Sequence, residues 1–306
     1  MSAWYKDFTW TWRGVTVRET GAVVPLNKSI IKDLLTWLPY YAAERARQLR
    51  HLKNRSKFTV NFMPKPARPW YLLGVVLMRA GIKTIGNTHK ADLSVQFHDK
   101  TSLNAFQRPP ADHYMNYECT DISKSHVAAV FERVFGYALS VDPTGFSGDM
   151  VKKSEHNGAH DGSIVKGPVN PEPGWVYQHA IDNTTKNGTV RDLRCPTIGA
   201  DIPLIYIKER PIEKRFDNLN TTCTLSTPED HFSEDERRLV SQFCREMRLD
   251  WGGLDILRDN ATQRIYIVDV NKTDMGPPLA LPMRAKLKST TILANALKGF
   301  IQGKSL

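Results

Sequence analysis

The sequence predicts an α+β protein, and three observations carry that prediction. Between Phe58 and Phe97 a short apolar segment, a helical periodicity and a second short apolar segment follow one another, the pattern of a small parallel sheet with a crossover helix. Between Asp149 and Arg210, short strand patterns succeed one another with glycine-bearing turns between them. Near the end of the chain, residues 253–257 and 264–271 flank Asp259-Asn260-Ala261-Thr262 as two strands flank a hairpin turn.

Composition bounds what such a chain can be. At 306 residues there is room for about two domains. A content of 41% hydrophobic and 24% charged residues argues against wholesale disorder. No apolar run approaches the ~18 residues of a membrane span, and MSAWYKDFTWTWRG lacks the apolar centre of a signal peptide, so a soluble cytoplasmic protein without a membrane partner is expected. Cys119, Cys195, Cys223 and Cys244 are scattered with no CxxC pair, which indicates neither a zinc site nor a disulfide framework; they are expected reduced and mostly buried. The formal charge of +10 suits a polyanionic ligand, nucleotide or nucleic acid.

In chain order, residues 1–26 read as a short strand region with Trp4, Trp10 and Trp12 in a hairpin. From Asn27 as cap, Ile30, Leu34, Leu38 and Tyr41, widened by Ile31, Leu35 and Ala42, form the apolar stripe of an amphipathic helix. It runs into Glu44, Arg45, Arg47, Arg50, Lys53, Arg55 and Lys57, a solvated basic end or a grip on polyanions. The parallel piece then has strands over 58–62 and 91–97 and a helix over 69–80. His98, Asp99 and Lys100 at its end are either loop residues or substrate contacts. Residues 101–120, with Pro109-Pro110, read as a linker. A helix capped by Asp121 follows, buried along Val127, Val130, Phe131 and Val134 and stopped by Gly136. Residues 149–153 form a strand opening into a glycine-bearing loop that holds His156, Gly158, His160 and Gly162. Residues 175–181 form another strand, and Asn187-Gly188 turns the chain into two more strands. Ser233 begins a helix with Glu236 in the capping-box position and Leu239, Phe243 and Met247 inward. Residues 281–301 close the chain as a helix.

The hairpin carries the chemistry. Strand alternation puts Asp269 and Asn271 on one face, and Asp255 in the partner strand can stand opposite them. Such an oxygen-rich patch suits Mg²⁺ completed by water and phosphate oxygens; by alternation alone a solvated hairpin face explains it as well.

GLDILRD followed by YIVDVNKTDMGPP resembles the closing motif of the ATP-grasp superfamily. The resemblance implies a two-subdomain clamp preceded by a small α/β domain: residues 1–115 as the N-terminal region, 116–182 as the small subdomain and 183–306 as the large one. It implies ATP and Mg²⁺, two ions, with Asp255, Asp269 and Asn271 as metal ligands; Asp269 stands where the family usually has Glu. By motif position Lys124 and Lys152 match the phosphate lysines, with Lys153 replacing the proline that usually follows, so the register can slip by one. Gly158 and Gly162 match the loop over the triphosphate, and Gln178, His179 and Ala180 match the hinge that reads adenine. Arg194 and Arg210, with Lys208 nearby, match the charges that stabilise phosphoryl transfer.

The activity implied is joining a carboxylate to an amine or thiol through an acyl phosphate, with release of ADP and phosphate. The partners implied are a small-molecule or peptide carboxylate and an amine or thiol nucleophile, with a homodimer as an option. Arg210, Lys272 and Arg284 are candidate carboxylate holders by charge and position. A kinase acting on a hydroxyl is the first alternative. A nucleic-acid-binding protein using the 45–57 basic segment ranks last, because the metal acids are retained and no recognition motif is present.

Overall fold

Every element before residue 120 belongs to a helix-backed parallel sheet or to the hairpin ahead of it. The computed structural model describes residues 8–11, 14–17, 23–24, 28–50, 56–104, 106–156, 158–159, 161–217 and 221–303. Strands β1 (Phe8–Thr11), β2 (Gly14–Val17) and β3 (Val23–Val24) form a small antiparallel sheet, and Trp10 pairs with Val15 in its hairpin. Trp4, Trp12 and the Asn27 cap lie outside the described residues.

Helix α1 (Lys28–Arg50) corrects the expected stripe. Leu35 and Leu38 are exposed, whereas Tyr40 and Glu44 are buried. The tertiary partner explains the rotation: the Tyr40 hydroxyl shares a hydrogen bond of 2.7 Å with Thr290, and Glu44 pairs with Arg79. A buried carboxylate with a bidentate arginine outcompetes two leucines for the packed face. Of the basic segment, 51–55 lie outside the described residues.

Strands β4 (Thr59–Pro64), β5 (Lys83–Thr84), β6 (Ala91–Phe97) and β7 (Ala111–Met115) make a parallel sheet in the order β5-β4-β6-β7, with α2 (Leu72–Ala80) against it. β7 falls inside the stretch expected to be a linker. Its ADHYM has no clean alternation, and pairing to β6 rather than pattern makes it a strand.

The second half holds two antiparallel sheets. Strands β8 (Gly148–Ser154), β9 (Ser163–Gly167) and β10 (Trp175–His179) pair in the order β10-β8-β9. Strands β11 (Thr189–Ile198), β12 (Ile205–Pro211), β13 (Thr222–Ser226), β14 (Trp251–Arg258) and β15 (Ile265–Asn271) pair in the order β13-β12-β11-β14-β15. One face of the larger sheet is covered by α3 (Lys124–Phe135) and α4 (Glu234–Glu246). There Val127, Val130, Phe131, Val240 and Phe243 pack on Leu193, Cys195, Leu254, Ile256 and Val270. The cap of α3 is Ser123 rather than Asp121: its hydroxyl accepts from His126 N–H, and Asp121 accepts from Ser123 N–H at 2.8 Å. The capping box of α4 forms as predicted.

Helix α5 (Met283–Ile301) packs against α2 and α1 and also touches β11 and β13, so Leu293, Ala294 and Leu297 share a core with Val60, Leu73, Val76 and Leu93. All four cysteines are buried and free. Among the described residues, no helix is long and apolar enough to cross a membrane.

Candidate functional site

The face of the larger sheet turned away from α3 and α4 carries the charges, and α5 covers part of it over Ile198, Tyr206, Cys223 and Trp251. Pairing puts Asp255 directly opposite Asp269 across β14 and β15, and Arg194 of β11 opposite Asp255 on the other side. Directly paired residues share a face, so three ionic side chains lie in one row. Arg194 Nη1 is 2.9 Å from Asp255 Oδ2, and Lys208 Nζ of β12 is 3.3 Å from Asp255 Oδ1. Lys124, from the first turn of α3, pairs with Asp269. Asp274, in the loop after β15, pairs with the other arm of Arg194.

Burial works against the Asp255 carboxylate, but Arg194 and Lys208 more than offset it and hold the carboxyl well below its ordinary range. Asp274 moves the other way: burial raises it and Arg194 opposes. Room for this packing comes from Gly253, where a Cβ would collide with the Asp274 carboxylate and stand 2.7 Å from Arg194 Nε.

The smaller sheet forms the opposite wall of a cleft of about 200 Å³. Its inward residues include Val151, Lys153 and Gln178. Of the two adjacent lysines, the cleft is lined by Lys153 and not by the expected Lys152. Lys152 points to the other side of β8, where it pairs with Glu172 and sits 4.5 Å from the centre of the Trp175 ring. Lys153 reaches into the cleft and donates to the Val268 carbonyl at 2.8 Å. Burial, reinforced by neighbouring Lys124 and opposed by Asp269, lowers its ammonium to about 8. Pairing parity contained the signal: Gln178 is opposite Val151 and Val176 is opposite Lys153, so a cleft-facing Gln178 forces Val151 and Lys153 onto its own face.

The loop after β8 crosses the cleft. His156, Gly158, Ala159, Asp161 and Gly162 all line it, and His160 lies outside the described residues. Glu155 anchors the loop to the start of α3 by accepting from Ser125 N–H at 3.1 Å and from its hydroxyl. At the far end Gly162 packs on Phe216, where a Cβ would approach Cδ1 to 2.5 Å. The loop therefore meets α3 at one end and the segment after β12 at the other.

At the end of the cleft beside β10 the wall includes Gln178, His179, Ile181, Asn183, Asp192, Arg210 and Arg215; Ala180, expected in the hinge, lies outside that lining. Arg210 pairs with Asp192 and donates to the Arg215 carbonyl at 3.1 Å. Arg215 donates to the Ile181 carbonyl at 3.0 Å and to Asn183 Oδ1 at 3.1 Å.

Of the expected residues, Lys152, Ala180, Arg194, Asn271, Lys272, Arg284, His98, Asp99 and Lys100 stand apart from the cleft lining. Asn271 shares the Asp269 face, but its Oδ1 accepts Thr273 N–H at 2.8 Å, closing a local turn. Lys272 is buried and donates to the Cys119 carbonyl at 3.1 Å, a structural contact rather than a carboxylate holder. His98 stacks on Phe106. Lys153 entered only as the alternative to Lys152, and Asn183, Asp192, Arg215 and Asp274 were missed. For the last four, the chain offers only commonplace polar residues, and their convergence depends on which strands pair.

Among the described residues no group of three or more His, Cys, Asp or Glu side chains could by itself hold a metal. The donors at Asp255 and Asp269 are all oxygen, which fits a hard cation whose shell is completed by water and phosphate, as Mg²⁺ requires.

No family model matches the chain, and no curated protein matches it by sequence. Solved structures do. The ATP-grasp ligase PsnB, complexed with minimal precursor, Mg and ADP, superposes with a TM-score of 0.52 at 13% identity over 79% of this chain and 96% of that one. D-alanine–D-alanine ligase from Bacillus anthracis gives 0.48 at 10% identity over 81% of this chain and 98% of that one. The macrocyclase MdnC from Microcystis aeruginosa, bound with precursor peptide MdnA, gives 0.45 at 9% identity over 78% and 98%. On the first of these the chain has the ATP-grasp fold, in an α+β architecture.

Proposed function

We propose that this protein is an ATP-dependent ligase that joins a carboxylate to an amine or thiol through an acyl phosphate. The observation that carries the reading is the row Arg194, Asp255, Asp269 on one sheet face, with Lys124, Lys208 and Lys153 converging on it. Alternating fixed charges of this kind serve phosphoryl transfer, where catalysis is positioning and charge stabilisation. The PsnB structure is a complex with minimal precursor, Mg and ADP, which supports a nucleotide, Mg²⁺ and an acceptor as the ligands of this fold here.

Asp255 and Asp269 would hold Mg²⁺, which when bound neutralises charge on the nucleotide phosphates. Asn271, whose Oδ1 accepts Thr273 N–H and keeps a second lone pair, would join them as a ligand. Lys124 and Lys153 bind the triphosphate, Lys153 taking the role expected of Lys152. Arg194, outside the cleft lining and held between Asp255 and Asp274, acts by fixing the Asp255 carboxylate. A carboxylate oxygen of the substrate attacks the γ-phosphorus, the bond to the bridging oxygen breaks, and ADP leaves with that electron pair. The amine or thiol then attacks the acyl carbon; the bond to phosphate breaks, phosphate departs, and the nucleophile loses its proton. The loop from Glu155 to Gly162 excludes water that would hydrolyse the acyl phosphate. Residues 116–182 and 183–306 form the two halves of the clamp in this reading.

The test is a screen of carboxylic acids with hydroxylamine as the nucleophile, read as ADP release and hydroxamate formation. Hydroxamate that depends on acid and ATP, and is lost in Asp269→Ala, is the expected result. A stable phosphoester on a hydroxyl substrate with no hydroxamate would make the protein a kinase and overturn the ligase reading.

A further inference from the structure

Resting on the nucleotide reading above, the hinge end of the cleft bears on which base is taken. Two backbone groups of the hinge are already engaged: the His179 N–H donates to the Leu139 carbonyl at 3.0 Å, and the Ile181 carbonyl accepts from Arg215 Nη2 at 3.0 Å. Base reading therefore falls more heavily on the adjacent side chain. That side chain is Gln178, 2% exposed in the cleft wall, and its Nε2 has no hydrogen-bond partner among the described residues. A buried amide with an unanswered donor costs stability unless a ligand acceptor completes it. Val151 and Leu257 supply apolar walls in the same cleft.

Adenine offers an amino donor at its six position and an acceptor at N7; guanine offers acceptors at both O6 and N7. Hypoxanthine shares the six-position oxygen. A carboxylate at position 178 could only accept, and would oppose that oxygen with a second acceptor. An amide presents its oxygen to an amino group or its nitrogen to a carbonyl by turning about one bond. We infer that the cleft takes guanine and hypoxanthine nucleotides as well as adenine nucleotides, and that Gln178 is the residue that sets this breadth.

Calorimetric titration of the full chain with the Mg²⁺ complexes of ADP, GDP and IDP tests it, alongside Gln178→Glu. The three wild-type dissociation constants are expected within about tenfold of one another. In Gln178→Glu, GDP and IDP are expected to weaken relative to ADP by about tenfold or more, because two acceptors then face each other. ADP binding with GDP and IDP each weaker by roughly a hundredfold or more would overturn the inference while leaving the nucleotide reading intact. An unchanged ratio in a folded Gln178→Glu would overturn Gln178 as its cause. Binding of none of the three would overturn both readings. Should Gln178→Glu fail to fold, the wild-type ratio alone decides the breadth.

Discussion

The single position that separates Lys152 from Lys153 shows how site chemistry is decided at the residue scale. Both are lysines on β8, but one is spent on Glu172 and Trp175 while the other is stripped of water inside the cleft. Lys153→Met is expected to weaken MgADP binding at least ~10-fold, and Lys152→Met less than ~3-fold, as read by calorimetry; the removed charge-assisted bond to phosphate is worth about 1.5–3 kcal/mol. The pH dependence has a definite sign. Because burial lowers the Lys153 ammonium to about 8, it is charged at pH 7 and mostly neutral at pH 9. Nucleotide affinity should therefore fall between pH 7 and 9 in the native protein, and Lys153→Arg should flatten that fall. Stability moves oppositely: the buried cation is a penalty below pH 8 that is relieved as pH rises towards the unfolded lysine value. At the same scale, Gly253→Ala drives a methyl into the Arg194 and Asp274 pair. A loss of about 1–3 kcal/mol in chemical denaturation, with turnover reduced further, is expected from overpacking at that contact.

Elements were legible where local pattern and tertiary role agree. The hairpin of β14 and β15 reads from its alternation and its Asp259–Thr262 turn, and Asp259 accepts Thr262 N–H at 2.8 Å as a turn residue should. Helix α4 announces itself with Ser233 and Glu236; Ser233→Ala is expected to cost about 1 kcal/mol by thermal or urea unfolding, and a change below a few tenths would contradict the capping account. β7 was illegible because its pairing with β6, not its composition, defines it. The buried face of α1 was illegible for a related reason: the Glu44 and Arg79 pair and the Tyr40 and Thr290 bond join residues that the sequence separates by 35 and 250 positions. Asp255 and Asp269 needed only local alternation to find. Asp274 needed the knowledge that its loop folds back over β11.

At the scale of the whole molecule, α5 ties the end of the chain to its beginning. Its Leu293 is fully buried in the core shared with α2 and β4, so the parallel sheet is completed by a helix that follows β15. Leu293→Ala is expected to destabilise by about 2–5 kcal/mol, and the loss should appear in the N-terminal sheet by hydrogen exchange rather than in β14 and β15. The same architecture links the N-terminal half to the cleft: Leu72 N–H donates to the Asp274 carbonyl at 2.8 Å, and Gly276 N–H donates to the Trp70 carbonyl at 3.2 Å. The loop holding Arg194 is thus braced by the first turn of α2.

The central claim is that two opposed carboxylates and their surrounding cations form one magnesium-nucleotide site. Titration of ADP into native protein, Asp255→Asn and Asp269→Asn, each with and without Mg²⁺, tests it most directly. Magnesium-dependent binding in the native protein that both variants lose, with their melting temperatures within a few degrees of native, is the predicted result. Binding that is indifferent to Mg²⁺, or that survives in both folded variants, would contradict it.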